Sequence, residues 1–200
     1  MNLLDLLFPK NCLECGKEGR YICNDCLKKV SPAGCDDSNY AIFKYEGVIR
    51  KAIISLKYKF AYDIADELSS LVVKRLIVKG LWLKNSILIP IPLHKNRENW
   101  RGFNQTEVIG EELAKTMKWK YIPDLLIRNK NTLPQVGLKG SVRRSNLSGV
   151  FSVNHNHFIS NKSSLVLFDD VYTTGSTIKE AKKVLLEAGF KNIKSLTIAR

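Results

Sequence analysis

The chain has 200 residues, of which 44% are hydrophobic and 26% are charged, a composition that is typical of a globular protein and excludes a disordered one. No apolar run approaches the ~18 residues of a membrane-spanning helix, and the amino terminus lacks the basic start of a signal peptide, so we expect a cytoplasmic protein without a membrane span. The formal net charge of +13 favours a polyanionic or phosphorylated partner, although a lysine-rich solvated surface would give the same excess.

Near the amino terminus, two CxxC pairs are separated by seven residues; they are Cys12 with Cys15 and Cys23 with Cys26. Each pair presents two sulfurs from a tight turn, and two such pairs complete a tetrahedral four-cysteine Zn²⁺ site. Because sulfur fills all four positions, we predict a structural zinc that stabilises a small zinc-finger module over residues 1–38. The alternative is a set of four reduced cysteines in a small core.

After the cysteines, strand patterns alternate with helix patterns. Apolar periodicity predicts strands over residues 40–45, 86–93, 121–128, 149–153, 163–170 and 193–199, and helices over residues 48–56, 64–76, 104–117 and 177–188. The polar, basic segment between the third and fourth strands predicts an exposed loop. Alternating strands and helices imply a mostly parallel sheet with helices on both faces, so we expect an α/β domain over residues 39–200.

One predicted strand ends in two acids and a hydroxyl-rich turn, in the stretch LVLFDDVYTTGST. Asp169 and Asp170 would lie, exposed, at the carboxyl end of that strand, where open α/β sheets bind ligands. The turn that follows offers backbone N–H groups, hydroxyls and a helix N-terminus, which together suit a phosphate. Carboxylates beside it suit the hydroxyls of a sugar, directly or through Mg²⁺, so a 5-phosphorylated ribose fits both halves. The alternative is an ordinary turn with a capping box at Thr177 and Glu180.

The same stretch resembles the phosphoribosyl pyrophosphate (PRPP) signature of type I phosphoribosyltransferases. Three segments are similar, in order, to the ComF family of competence-associated proteins: LLDLLFP before the cysteines, PIPLHKNRENWRGFNQTEVIGEELA in the middle, and FDDVYTTGST near the end. The resemblance implies a type I phosphoribosyltransferase-like parallel-sheet domain with an N-terminal four-cysteine zinc module.

The resemblance also assigns roles to individual residues. Asp169 and Asp170 would be the catalytic pair on the ribose of Mg²⁺-bound PRPP, and the 5-phosphate would be held by Thr173, Thr174, Gly175, Ser176 and Thr177. The pyrophosphate would be neutralised by Lys95, Arg97 and Arg101. The candidates for contact with single-stranded DNA are Arg97, Trp100, Arg101, Lys139, Arg143 and Arg144.

Residues at two places in the middle segment have an alternative interpretation. Trp100 and Phe103 lie between arginines and would stack on bases, or else would fix their loop to the core. His94 lies beside the pyrophosphate loop and would be a general base, or else a polar surface residue.

Three functions from different classes fit this pattern. The first is a ComF-like protein that handles incoming single-stranded DNA during natural transformation, has a PRPP site, and contacts a DNA-uptake helicase or recombination proteins. The second is an active Mg²⁺-dependent phosphoribosyltransferase with an unknown acceptor, and the third is a PRPP-sensing regulator without catalysis. Residues 81–150 hold 12 basic and 5 acidic side chains, and this excess, together with the family resemblance, favours the first function.

Overall fold

The computed structural model describes residues 9–34, 36, 38–58, 62–80, 85–130 and 149–200. The strands are β1 (Asn39–Phe43), β2 (Ser86–Pro90), β3 (Lys120–Tyr121), β4 (Leu126–Arg128), β5 (Phe151–Val153), β6 (Ser164–Val171) and β7 (Asn192–Ala199). The helices are α1 (Asn24–Lys28), α2 (Gly47–Tyr58), α3 (Tyr62–Val78), α4 (Lys95–Arg101), α5 (Gln105–Met117) and α6 (Ser176–Glu187).

Five strands form one sheet in the order β1-β7-β6-β2-β3, and each neighbouring pair is parallel. The α/β fold with a parallel sheet is therefore confirmed. Strands β4 and β5 form a separate antiparallel pair. The single strand predicted over residues 121–128 is wrong: Pro123 interrupts it, because proline has no N–H for a strand ladder, and its two ends join different sheets.

Both faces of the sheet are buried, which explains why β2 and β6 read as continuous apolar runs. In β6, Val166 and Phe168 pack against the layer that contains α2, α3 and α5. Leu165 and Leu167 pack on the other face, in a cluster with α6 and the β4–β5 pair. Side chains alternate between faces along a strand, so β6 separates two apolar clusters. Among the described residues, no helix combines the length and apolar character of a bilayer span.

The cysteine-containing segment packs directly on α2 and α3. Its buried residues Ile22 and Val30, and three of its cysteines, belong to the same apolar cluster as these helices. The carboxylate of Glu67, on α3, accepts hydrogen bonds from the backbone N–H groups of Tyr21 (3.0 Å) and Ile22 (2.9 Å). One apolar cluster thus continues across the predicted boundary at residue 38, and the two-domain division stays a prediction.

The helix that follows the middle motif begins where the sequence predicts. The Asn104 side chain accepts a hydrogen bond from the Thr106 N–H (3.2 Å) and donates one to Glu107 (2.8 Å), so it caps α5. Helix α4 has no counterpart among the predicted elements, because Trp100 is the one large apolar side chain in its seven residues, KNRENWR. It ends at Gly102, whose φ of 76° suits a glycine C-cap.

Candidate functional site

The two adjacent aspartates lie at the carboxyl end of β6, between β2 and β7, but their side chains face opposite sides of the sheet. Asp170 continues the side of Val166 and Phe168 and contacts α2 and α5, whereas Asp169 faces Arg128 of β4. The expectation that both carboxylates are exposed is wrong. Asp170 is 6% exposed and Asp169 is half-buried, because neighbouring strands and helices cover this end of β6.

Asp170 is held by a buried network. Its Oδ2 lies 2.7 Å from Nζ of Lys57, on α2, and accepts a hydrogen bond from Nε2 of Gln105 (3.0 Å). Gln105 in turn accepts one from Arg101 (3.1 Å), so Arg101 is linked to Asp170 through an amide. Burial alone would lower the pKa of Lys57, but the Asp170 carboxylate raises it on balance, and the ammonium group stays charged.

The carboxylate of Asp169 has a different environment. Burial and the neighbouring charge of Asp170 raise the pKa of Asp169 to about 7, against the opposing effects of Lys57 and Arg128. The backbone N–H of Asp170 donates to Asp169 Oδ1 over 2.8 Å, which also favours the charged form. Asp169 therefore changes its protonation state near neutral pH.

Arg128 and the nearby Arg97 lie on the Asp169 side of the sheet. Burial and the nearby Arg97 lower the pKa of Arg128 to about 10, while Asp169 opposes this shift. The guanidinium of Arg128 lies 5.5 Å from the centre of the Phe151 ring, a cation–π contact that fixes it. Helix α4 carries Arg97 and Arg101, both partly buried, and Lys95, which is exposed. The structure thus gathers positive charge around the aspartates.

The predicted phosphate turn connects β6 to α6, which begins at Ser176 after Gly175. Gly175 has a φ of 72°, and a Cβ at this position would collide with the Tyr172 hydroxyl, so the turn requires glycine. The Ser176 N–H donates to the Thr174 hydroxyl (3.4 Å). The capping-box alternative is not what forms, because the Glu180 carboxylate instead accepts from the Gly149 N–H (2.8 Å).

The alternatives for the middle motif are now resolved in part. Phe103 is 8% exposed within the main core cluster, so the prediction that it stacks on bases is wrong and the core interpretation holds. Trp100 is 67% exposed on α4. His94 is the N-cap of α4, where its Nδ1 accepts from the Asn96 N–H (3.2 Å). Lys139, Arg143 and Arg144 lie outside the described residues.

The four predicted metal ligands converge. The Sγ atoms of Cys12, Cys15, Cys23 and Cys26 all lie within 4.8 Å of one another. The Cys15 and Cys23 sulfurs are 3.7 Å apart, which matches the edge of about 3.8 Å in a tetrahedron with Zn–S bonds of about 2.3 Å. Although burial opposes it, backbone hydrogen bonds lower the pKa of Cys12 to about 6. The donor set and its spacing fit a tetrahedral metal ion.

Comparison with known proteins places the chain in a family. No family model matches it, but Competence protein F of Haemophilus influenzae is 31% identical over 199 residues, covering 94% of this chain and 84% of that protein. The chain belongs to the competence protein F family. Competence protein ComFC of Bacillus subtilis is 27% identical over 183 residues, covering 90% of this chain and 72% of that protein. DNA utilization protein YhgH of Escherichia coli K12 is 28% identical over 189 residues, covering 89% and 78%.

Phosphoribosyltransferases are among the solved structures that overlap with this chain in part. Adenine phosphoribosyltransferase from Trypanosoma brucei overlaps 85% of this ComF-family chain and 62% of its own chain, with a TM-score of 0.44 and 12% identity. The enzyme from Saccharomyces cerevisiae overlaps 87% and 86%, with a TM-score of 0.41 and 12% identity.

Three side chains of the site have no individual role among the sequence predictions: Lys57, Gln105 and Arg128. A signal exists for Lys57, because it continues the row of Ile49 and Ile53 at four-residue spacing on the buried face of α2. A lysine in such a row predicts a buried partner of opposite charge. Gln105 and Arg128 give no comparable signal, since their partners come from other elements of the fold.

Proposed function

We propose that this ComF-family protein binds PRPP or a related phosphoribosyl compound with Mg²⁺, and handles single-stranded DNA in the cytoplasm in support of natural transformation. One observation carries the proposal. The carboxylate of Asp169 lies before a glycine turn at the N-terminus of α6 and near Arg128, which has Arg97 beside it. This arrangement offers groups for both a sugar and its phosphates.

Each part of the ligand has a proposed partner. The turn over residues 173–177 would hold the 5-phosphate through its N–H groups and hydroxyls. Oδ2 of Asp170 already accepts from Lys57 and Gln105, so Asp169 is the better placed of the two acids for direct contact with the ribose or with Mg²⁺. Bound Mg²⁺ would neutralise phosphate charge.

The pyrophosphate side would be formed by α4 and β4. Lys95, Arg97 and Arg101 lie on α4, and we add Arg128, which lies near Arg97 and Asp169, as a fourth candidate. Guanidinium groups suit this role because their donors match phosphate oxygens in pairs.

The proposed DNA contact uses the same helix. Arg97, Trp100 and Arg101 lie within a single helix of seven residues; Trp100 is 67% exposed, and the two arginines are partly buried. An exposed aromatic ring with cationic side chains nearby suits single-stranded DNA. The names of the relatives reported above, competence proteins and a DNA utilization protein, support a role in DNA handling. Contacts with an uptake helicase or recombination proteins belong to the same proposal.

The metal at the four cysteines would be Zn²⁺ in a structural role. Four thiolates in tetrahedral spacing suit zinc and leave no position open for a substrate. The ion would fix the two cysteine turns against α2 and α3.

The positive charge of Arg97, Arg101 and Arg128 favours one alternative, an active Mg²⁺-dependent phosphoribosyltransferase. In that reaction the bond from C1 to pyrophosphate breaks, an acceptor bonds to C1 and loses its proton, and the arginines would stabilise the departing pyrophosphate. A PRPP-sensing protein without turnover would use the same residues for binding only.

Calorimetry with PRPP and Mg²⁺, on the wild-type protein and on Asp169→Asn, tests the proposal. Glu187→Gln is the control, because Glu187 forms an exposed ion pair with Lys183 at the far end of α6 from the phosphate turn. We expect binding by the wild type and the control, and loss of binding in Asp169→Asn. Absence of binding by the wild type would overturn the PRPP site.

The same sample then receives mixed nucleobases, and pyrophosphate release is measured. Release would make the protein an enzyme whose acceptor must be identified. Binding without release would favour a phosphoribosyl-gated DNA-handling protein. Anisotropy of a labelled oligothymidine, measured separately, tests the DNA part of the proposal.

A further inference from the structure

A second groove lies at the opposite edge of the sheet, where β2, β3 and β6 begin. It encloses about 390 Å³ and is lined by Asn85, Ser86, Ile87, Lys118, Lys120, Phe158, Ile159, Ser160 and Ser163. Two of these described lining residues are cations and none is a carboxylate. The groove is separated from the aspartates by the length of β6, about 23 Å at 3.3 Å per residue. It is therefore distinct from the proposed PRPP site.

Phe158 is the unusual member of this groove, because its side chain is fully exposed. Its two neighbours point toward the protein: His157 pairs with Asp124 (2.8 Å), and Ile159 packs against the α6-side core. The turn that follows is closed by a hydrogen bond from the Ser163 N–H to the Ser160 carbonyl (2.9 Å). The fold thus presents the Phe158 ring to solvent from a fixed loop.

An exposed ring that shares a groove with two lysines has the chemistry that single-stranded nucleic acid recognises. Bases stack on aromatic rings regardless of sequence, and lysines neutralise the phosphates between them. Asn85 and Ser160 add an amide and a hydroxyl for phosphate or base hydrogen bonds. The lack of a lining carboxylate and the formal charge of +13 make a polyanion the complementary partner.

We propose that single-stranded DNA binds this groove by stacking a base on Phe158 and placing phosphates on Lys118 and Lys120. The inference rests on the proposed function for the identity of the ligand, and it adds a contact surface at the opposite edge from Arg97 and Trp100. A strand long enough to reach both edges would bind more tightly than a short one, because the second contact becomes intramolecular.

The test is anisotropy of a fluorescein-labelled oligothymidine at several salt concentrations. Phe158→Ala should weaken binding about tenfold, which is the loss expected for one stacked base. The double change Lys118→Gln with Lys120→Gln should reduce the salt slope by about 1.4, since each single-strand phosphate contact contributes about 0.7. Matched controls are Leu186→Ala, an exposed apolar residue on α6, and Lys183→Gln on the same helix. Both should bind as the wild type does.

The outcomes separate this inference from the proposed function. If the wild type binds DNA and Phe158→Ala binds equally well, the second surface is wrong and the proposed function stands. If the wild type binds no DNA, both DNA assignments fail, while PRPP calorimetry still decides the other site. If Phe158→Ala instead abolishes self-association in sedimentation and leaves DNA binding intact, the groove is an interface between copies and the inference is overturned. Circular dichroism checks that each variant folds.

Discussion

The ion pair between Lys57 and Asp170 joins the amphipathic helix α2 to the end of β6 inside the protein. The side chains of the two residues are 20% and 9% exposed. Two charges in such a place stabilise each other only as a pair, because either one alone remains buried without compensation. The pair therefore fixes the position of the candidate site relative to α2.

Replacing Lys57 by methionine should destabilise the protein by about 3 kcal/mol, because it leaves the Asp170 carboxylate buried without its cation. Urea unfolding measures the change. The additional substitution Asp170→Asn should recover part of this loss, since the uncompensated charge is then gone.

The control for this prediction is Lys51→Met on the same helix. Lys51 pairs with Glu14 over 3.1 Å, but the two side chains are 49% and 37% exposed, and exposed pairs contribute at most about 1 kcal/mol. Equal losses in Lys57→Met and Lys51→Met would contradict a buried, structurally required pair.

Asp169 predicts a pH dependence of stability. Its pKa is about 7 in the folded protein and about 3.9 in an unfolded chain, so the folded state holds the proton more tightly. The free energy of unfolding should fall as pH rises from about 4 to about 7. The titration is set by the facing charges of Asp170, Lys57 and Arg128.

Asp169→Asn stays neutral at every pH and should therefore be more stable than the wild type at pH 8, by up to about 4 kcal/mol for the two pKa values given above. At pH 4 the two proteins should be equally stable. Thermal unfolding across this pH range measures the difference. A constant difference at all pH values would rule out titration of Asp169 as its cause.

For individual residues, the sequence predicts where the two aspartates lie but not what they contact. A strand followed by a hydroxyl-rich turn places Asp169 and Asp170 at the carboxyl edge, as found. The burial of Asp170 depends on its pair with Lys57, which is 113 positions away from it. Apolar periodicity within α2 indicates that Lys57 needs a buried anionic partner, but it does not indicate which residue that partner is.

At the scale of the secondary-structure elements, the turn between β6 and α6 is the connection most sensitive to substitution, because of Gly175. Gly175→Ala should displace the turn, because a methyl group there collides with Tyr172 and alanine is strained at a φ of 72°. We expect about a tenfold loss of PRPP affinity, equivalent to one hydrogen bond to a charged group. Calorimetry measures it, and shortening the obstructing side chain with Tyr172→Ala should restore part of the affinity.

Gly189, at the other end of α6, provides the comparison. Its φ is 94°, so Gly189→Ala is also strained and should lower stability by about 1 kcal/mol. It lies at the far end of the helix from the turn, however, and should leave PRPP affinity unchanged. Similar affinity losses in both variants would point to general destabilisation of α6.

Long amphipathic elements are the ones that the sequence predicts well. Helices α2, α3, α5 and α6 and strands β2, β6 and β7 match their predicted positions closely, because burial imposes a clear period on each. Helix α4 is missed because it packs on the surface with mostly polar residues. The order of the strands follows from packing between distant segments and has no local signature.

For the whole molecule, the shared core predicts that metal loss affects more than the cysteine segment. Chelation of Zn²⁺, or Cys15→Ser, should lower the melting temperature of the entire protein by about 10 °C or more in a single transition. The reason is that Cys12, Cys23 and Cys26 pack in the cluster that covers the sheet. Elemental analysis should give one zinc per chain.

Two separate thermal transitions after chelation would contradict the shared core and support independent folding of residues 1–38. Glu67→Gln gives a second measurement, because it weakens the two hydrogen bonds to Tyr21 and Ile22 without touching a cysteine. It should lower the melting temperature in the same single transition, by a smaller amount.

The position of β7 has a consequence for how the chain assembles during synthesis. This strand is the last of the described chain, yet it lies between β1 and β6 and pairs with both. Until it leaves the ribosome, β1 has no neighbour in the sheet and β6 has an open edge, whereas the cysteines emerge early and form a complete local set. The metal can therefore bind before the sheet is complete. A nascent chain arrested before β7 would expose unpaired strand edges, which are sites of aggregation and chaperone binding.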